Sequence, residues 1–457
     1  MKTYQDLLNT PEGDKDKMDF VRTVITDHKS SKLYNEAAIA HDYERHRNRT
    51  ITEYQKLLYT VSGMAVPDNY SANWKMASNF FHFIILQEVQ YLIGNGAAWS
   101  KEDTGARLGK DFDNKLQDLA KAALWGGVAF GFFNKDHLDV FNVTEFAPLY
   151  DEEDGALKAG VRFWQIDASK PLRATLYEID GYTDYIWRSG EDGEILHTKR
   201  PYIVKVATSE ADGTEIYDFE NYPSFPIVPL WGNTNHQSEF VGLREQIDCY
   251  DLIKSGFAND VDDASLIYWT IQNAGGMDDI DLSKFVERMR TVHASNLDDA
   301  VSAEAHTVDV PFASREALLD RVKKDIFSDA MALNPEFIAA AAVTATQIKA
   351  AYEPLNSKTD DFEYCVLDFV QGVLDLAGID DKPVFTRSML INASEEIQNI
   401  LQASQFLTSD YITQKLLDYL GDGDRAEDMI NEIQANEMPQ IGTGETEEAE
   451  TEEAING

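Results

Sequence analysis

The stretch YPSFPIVPLWGNTNHQSEFVGLREQIDCYDLIKSGFANDVDD, residues 222–263, changes texture halfway along. Its first part, Tyr222-Pro223-Ser224-Phe225-Pro226-Ile227-Val228-Pro229, is extended and carries prolines that cannot donate ladder hydrogen bonds. After Asn233-Thr234-Asn235 a long helix is expected from near Ser238, because Val241, Leu243, Ile247, Tyr250, Ile253, Phe257 and Val261 recur near helical spacing. Glu239, Glu245, Asp248, Asp251, Asp260, Asp262 and Asp263 make that helix acidic.

Toward the N-terminus, residues 128–232 hold short β-branched and aromatic runs, such as Val161-Arg162-Phe163-Trp164-Gln165-Ile166 and Tyr202-Ile203-Val204-Lys205-Val206. Turn signals at 151–155, Asp180-Gly181, 191–193 and Asp212-Gly213 separate them, which predicts an antiparallel meander. Before it stand two helices. Phe80 to Ile93, preceded by the N-cap types Ser78-Asn79, is apolar on nearly every face and is expected to be buried all round. Asp111 to Trp125 ends at Gly126-Gly127. Residues 1 to about 62 read as short charged helices and loops forming a peripheral arm.

Toward the C-terminus, 265–311 reads as a small mixed module: a strand over Leu266 to Ile271, a helix around Asp281 to Arg290 and a strand at His306 to Val310. Ser314 is expected to cap a helix running from Arg315 to Met331. Its Arg315, Arg321, Lys323 and Lys324 form a local basic cluster in an acidic chain. Asn334-Pro335 breaks that helix. The run Ala339-Ala340-Ala341-Ala342 follows, and taken alone it also suits an ordinary helix segment. A long helix from Thr344 to Leu376, interrupted at Pro354, and three shorter ones (395–405, 410–420, 425–436) complete an α+β chain that is mainly helical. Residues 440–457 carry six Glu and no base, the composition of a disordered tail.

The 40 Lys+Arg against 80 Asp+Glu give a net charge of -40. Such a chain disfavours tight phosphate binding, which depends on cationic side chains displacing counterions. No signal peptide or spanning segment is visible, so a soluble, non-secreted product is expected. Cys249 and Cys365 are expected to be buried free thiols.

Catalytic motifs are missing: there is no G-x-x-x-x-G-K-[ST], H-E-x-x-H, paired C-x-x-C or G-x-S-x-G. The G-x-G-x-x-A string at 421–426 follows a helix instead of a strand, so it reads as a helix-to-helix turn. Catalytic residues, cofactors and metals are accordingly expected to be none. One enzyme-class alternative is a metal-dependent hydrolase using Asp260-Asp262-Asp263 or Asp278-Asp279-Asp281. A generic acidic structural scaffold is the other alternative.

The order of elements, together with Asn79-Phe80-Phe81, Tyr91-Leu92-Ile93-Gly94 and the run from Pro226 through Asp248-Cys249-Tyr250-Asp251 to Ser255 and Asn259, resembles the portal proteins of tailed bacteriophages, in the siphophage branch. The resemblance covers roughly 70–436. At the start of the long helix it departs, with Val343-Thr344-Ala345-Thr346-Gln347-Ile348-Lys349 where many relatives have a Ser-Gly-x-Ala-Leu-Lys-type sequence.

It implies a homododecameric ring at one capsid vertex of the virion, assembled in the host cytoplasm, through which double-stranded DNA passes without sequence-specific binding. The implied partners are the terminase large subunit, scaffolding and major capsid proteins, and a head-completion adaptor. It further implies a wing (1–237), first stem helix (238–264), clip (265–312), second stem helix (313–333), tunnel loop (334–343), long kinked wing helix (344–377), crown (378–436) and acidic tail (437–457). In that scheme Asn334, Pro335, Glu336, Phe337, Ala339, Ala340, Ala341 and Ala342 line the channel. Glu245, Asp248 and Asp251 of one stem meet Arg315, Arg321 and Lys324 of the next. Lys284, Arg288 and Arg290 of the clip face the motor or adaptor.

Overall fold

The computed structural model describes residues 2–11, 13–59, 63–68, 73–188, 192–208, 215–264, 268–272, 278–291, 302–306, 312–339, 344–388, 397–398, 400–402, 404–420 and 423–437. These form two compact units, Met1–Phe337 with Tyr352–Ser388, and Ile338–Ala351 with Met389–Gly457. The fold is mixed α+β. Among the described residues no helix is long and apolar enough to cross a membrane.

In the first unit the helices are α1 (Tyr4–Leu8), α2 (Asp14–Ser30), α3 (Lys32–Glu44), α4 (Arg49–Glu53), α5 (Phe80–Ile93), α6 (Thr104–Leu108), α7 (Phe112–Gly126), α8 (Arg244–Ala264), α9 (Asp279–Thr291) and α10 (Phe312–Asp329), and α11 (Pro335–Ala339) belongs to it as far as Phe337. A longer helix, α12 (Ala345–Ala377), enters this unit at Tyr352. The expected meander is present. Strands β6 (Phe146–Tyr150), β7 (Leu157–Trp164), β8 (Leu172–Glu178), β9 (Gly181–Trp187) and β10 (Glu194–Arg200) form one antiparallel sheet in which sequence neighbours are spatial neighbours.

β4 (Val128–Asn134) lies between β5 (His137–Asn142) and β13 (Ile227–Trp231) in a second sheet. Here the proline-rich segment does pair, with Pro229 opposite Phe130. It does so at a sheet edge, where a missing N–H is tolerated. The ribbon β11 (Ile203–Thr208) with β12 (Glu215–Glu220), and the short pairs β1 (Leu57–Tyr59) with β2 (Ala65–Pro67) and β3 (Ala97–Trp99) with β16 (Pro383–Phe385), complete these sheets.

The main core joins α3, α5, α7, the three-stranded sheet and α12. Phe369 of α12 lies so close over β4 that a Cβ at Gly131 would come within 2.5 Å of its ring. α7 ends on Gly127 at φ 80, the left-handed cap that glycine adopts without steric cost.

Several expectations are corrected. The N-terminal segment is no peripheral arm: α2 lays Phe20, Val21, Val24 and Ile25 on the five-stranded sheet, and α3 sends Ala37, Ala40 and Tyr43 into the main core. Burial of such side chains stabilises by about 1.5–3 kcal/mol each for the large ones. α5 is not buried all round, since Leu86 is exposed, and Asn79 occupies the N-cap position without a side-chain cap bond. α8 starts at Arg244 instead of Ser238. The Ser238 hydroxyl donates to the Trp125 carbonyl at 2.7 Å, and Gly242 at φ 89 interrupts any helix there.

α10 starts at Phe312, so Ser314 lies inside it and caps nothing. The module strands are β14 (Tyr268–Gln272) and β15 (Ser302–His306), the second earlier than expected; residues 307–311 lie outside the described residues. Cys249 is exposed and only Cys365 is partly buried. Residues 378–388 cluster with the first unit and 389–437 with the second.

In the second unit, helices Ser409–Leu420 and Ala426–Glu437 match two of the three expected there. Residues 397–398 and 400–402 of the other are helical, and Ser404–Phe406 is a short 3-10 turn. The acidic segment 438–457 lies outside the described residues.

Candidate functional site

α8 and α10 form an antiparallel pair, tied by Arg315 to Asp260 at one end and by the Gln246 amide to Asp329 at 2.5 Å at the other. The acidic and basic helices expected to meet across subunits therefore already meet within one chain. Asp251, assigned from sequence to a subunit contact, is instead wholly buried. It accepts from Asn48 Nδ2 at 2.8 Å and from the backbone N–H of Ser78 at 2.9 Å. Burial pushes its carboxyl up, and these donors pull it back.

Asp248, also assigned to that contact, is engaged within the chain. It accepts from Thr50 Oγ1 at 2.8 Å and from the Tyr43 hydroxyl, whose own pKa is pushed up to about 12 by burial and by this carboxylate. Arg315 is engaged with Asp260, and Arg321, on an exposed face, with Asp325 one turn on. Glu245 and Lys324 are exposed.

The buried face of α8 is polar for a reason that sequence reasoning missed. Segment 73–79 runs along it, and the N–H groups of Trp74, Met76 and Ser78 donate to Asn259 Oδ1 at 2.6 Å, Ser255 Oγ at 3.0 Å and Asp251 Oδ1 at 2.9 Å. Four helix residues rise about 6 Å, nearly the length of two extended residues, about 6.6 Å. Acceptors at every fourth helix position thus meet alternate amides. The signal was in the sequence as the row Asp251, Ser255, Asn259.

Where α10 ends, the chain turns back at Met331, with φ 52. Asn334 caps α11: its side chain accepts from the Glu336 N–H at 3.0 Å and its carbonyl from the Phe337 N–H at 3.1 Å. Pro335 is the first residue of α11, and Glu336 pairs with Lys323. Phe337 is exposed, and Ala339 is the last residue of that short helix. Ala340, Ala341 and Ala342 lie outside the described residues.

Beneath this turn Lys358 lies between Glu88 and Glu239, with its Nζ 2.8 Å from a carboxylate oxygen of each. Glu88 is 1% exposed. Burial pushes its carboxyl up toward neutrality against the pull of Lys358, while the two carboxylates hold Lys358 in its charged form. No local sequence pattern announces this triad.

In the 265–312 module, Lys284 pairs loosely with Asp281 at 3.6 Å, and Arg288 is exposed. Arg290 belongs to α9, but its side chain lies outside the described set. Among the described residues no three His, Cys, Asp or Glu side chains come together to hold a metal ion. Gly423–Arg425 is a short turn between two helices, as expected for the glycine string there.

Residues 40–438 match the family model described as phage portal protein, SPP1 Gp6-like. The class is therefore that of phage portal proteins, and this chain belongs to the SPP1 Gp6-like family within it. Among curated relatives, a portal protein of Clostridium phage phiCD119 is 22% identical over 361 residues, covering 71% of this chain and 77% of the relative.

Similar solved structures include the neck of an empty gene transfer agent particle computed with six-fold symmetry. It has a TM-score of 0.44 and 11% identity, and covers 73% of this chain and 88% of that one. The neck of a native particle computed with twelve-fold symmetry gives a TM-score of 0.41 and 12% identity, with 73% and 87% covered.

Proposed function

We propose that this chain is one subunit of a closed, twelve-membered ring at a capsid vertex of the virion, through which double-stranded DNA enters during packaging and leaves during ejection. The family match over residues 40–438 carries this reading. In it, α8 and α10 are the stem, and the 265–312 module is the clip that docks the terminase and then a head-completion adaptor. The segment 334–343 projects into the channel, and the second unit supplies the crown.

Composition supports a conduit: a chain of net charge -40 repels a sliding polyanion more than it grips it. Glu245, Arg321 and Lys324, exposed on the stem, are the charges left to set register between neighbours, each such pair contributing about 0–1 kcal/mol. Lys284 and Arg288 offer the clip's positive charge to an acidic partner.

A ring of twelve would carry about -480 formal charges, so assembly should depend on salt or divalent ions. Negative-stain electron microscopy in moderate salt, with and without Mg²⁺, tests this. Hollow rings of about twelve subunits with a duplex-wide opening are expected. Monomers or closed dimers in every condition would overturn the proposal.

A further inference from the structure

We propose that Gln87 and Lys358 are positioning residues that fix the root of segment 334–343, an inference that rests on reading this segment as the channel loop. The Gln87 side chain, on α5, engages both backbone groups of Leu333. Its Oε1 accepts the Leu333 N–H at 2.9 Å and its Nε2 donates to the Leu333 carbonyl at 3.1 Å. A single side-chain amide thus does what a neighbouring strand would do. Four residues before the loop, Lys358 Nζ also reaches the Ala330 carbonyl at 3.3 Å, so the cation that neutralises Glu88 and Glu239 holds the turn as well.

The turn between these anchors needs holding. α10 closes with two reversed bonds, Ala332 N–H to the Phe327 carbonyl at 2.9 Å and Met331 N–H to the Ser328 carbonyl at 3.1 Å. That motif places Met331 in the left-handed region that favours glycine. A side chain there is strained, and such strain persists only where the surroundings over-determine the conformation. Leu333, itself buried, is clamped on one side and Ala330 on the other. The chain therefore leaves the core at one place and in one direction.

The test uses the full-length chain with Cys249→Ser and Cys365→Ser, a spin label at Phe337 and, in a parallel sample, at Tyr364, both exposed positions. Gln87→Met removes both bonds to Leu333; Gln87→Glu keeps the acceptor and loses the donor. Label mobility at 337 should rise in the order Gln, Glu, Met, with mobility at 364 unchanged. Amide exchange at Leu333 should speed up on the order of tenfold in Gln87→Met and little in Gln87→Glu.

Unchanged mobility at 337 in Gln87→Met, or an equal rise at both positions, overturns the proposal. If Gln87→Met does not fold, an unchanged label in Gln87→Glu overturns it in the same way. Micrographs of the same samples keep the two readings apart. A failure of every sample to form rings, Gln87 included, counts against the portal reading, while the comparison of 337 with 364 still decides the role of Gln87.

Discussion

Replacing Lys358 by methionine should be the most damaging single change in the first unit that leaves side-chain size nearly unaltered. It strands Glu88, 1% exposed, and Glu239 beside each other with no cation, and it removes a donor from the Ala330 carbonyl. Breaking a buried ion pair from one side costs about 3–5 kcal/mol, because the remaining charge stays desolvated. Glu88→Gln should behave in the opposite way. The triad holds two carboxylates and one ammonium, so neutralising one acid leaves a balanced pair, and an amide keeps an oxygen to accept from Lys358. A change within about 1 kcal/mol is expected.

The pH dependence gives the sign. Glu88 has a folded pKa above its unfolded value, so its contribution is fully present below the unfolded pKa and is lost as pH rises through the folded one. Lys358 is also raised, and its contribution persists through neutral pH and fades only in the alkaline range. Between pH 5.5 and 8, then, only the Glu88 effect should vary. The Lys358→Met penalty should grow over that interval, and Glu88→Gln should gain on the wild type. Urea unfolding followed by tryptophan fluorescence at both pH values measures this. A Lys358→Met cost below about 1 kcal/mol, or one that does not change with pH, would refute the reasoning.

Three further outcomes are expected. Asp251→Ala leaves Asn48 Nδ2 and the Ser78 N–H without their acceptor, so it should destabilise by about 2–3 kcal/mol and open segment 73–79 to trypsin at Lys75; resistance at that site equal to wild type would contradict the ladder. Asp381 accepts from the Thr104 hydroxyl at 2.6 Å and from the N–H groups of Ser100, Lys101 and Lys382, which hold its carboxyl down at about 2. Its contribution is complete above the unfolded value and is lost as pH falls through the folded one, so Asp381→Asn should flatten the fall in melting temperature between about pH 4 and 2; parallel curves would deny it that role. Met331→Gly should leave stability unchanged or raise it by up to about 1 kcal/mol, as judged by urea midpoint, because glycine adopts φ 52 without strain; a loss of more than that would mean the Met331 side chain contributes packing that outweighs the strain.

What was legible in the sequence is what local chemistry dictates. Turn residues at Asp180-Gly181 and 151–155, with β-branched runs between them, place the meander, and Gly126-Gly127 ends α7 where expected. The pairing of β3 with β16 and the Glu88–Lys358–Glu239 triad join residues far apart in the chain, and no window of sequence contains them. The N-terminal helices were underestimated because the apolar stripe Phe20, Val21, Val24, Ile25 of α2 is set among charges that mask it.

α8 is the instructive error. Its apolar spacing pointed to the helix and its carboxylates to contacts outside the subunit, yet Val261 is exposed while Asp251, Ser255 and Asn259 are buried together with Ile247. Hydrophobic spacing assumes that a helix packs against side chains. A helix that packs against another segment's backbone needs acceptors in place of methyl groups, one per turn, each short enough to reach an amide. A row of Asp, Ser and Asn at every fourth position on α8 thus marks the face that holds the extended segment 73–79, and it makes the acidity of this helix partly a matter of internal architecture, while Glu245 stays exposed.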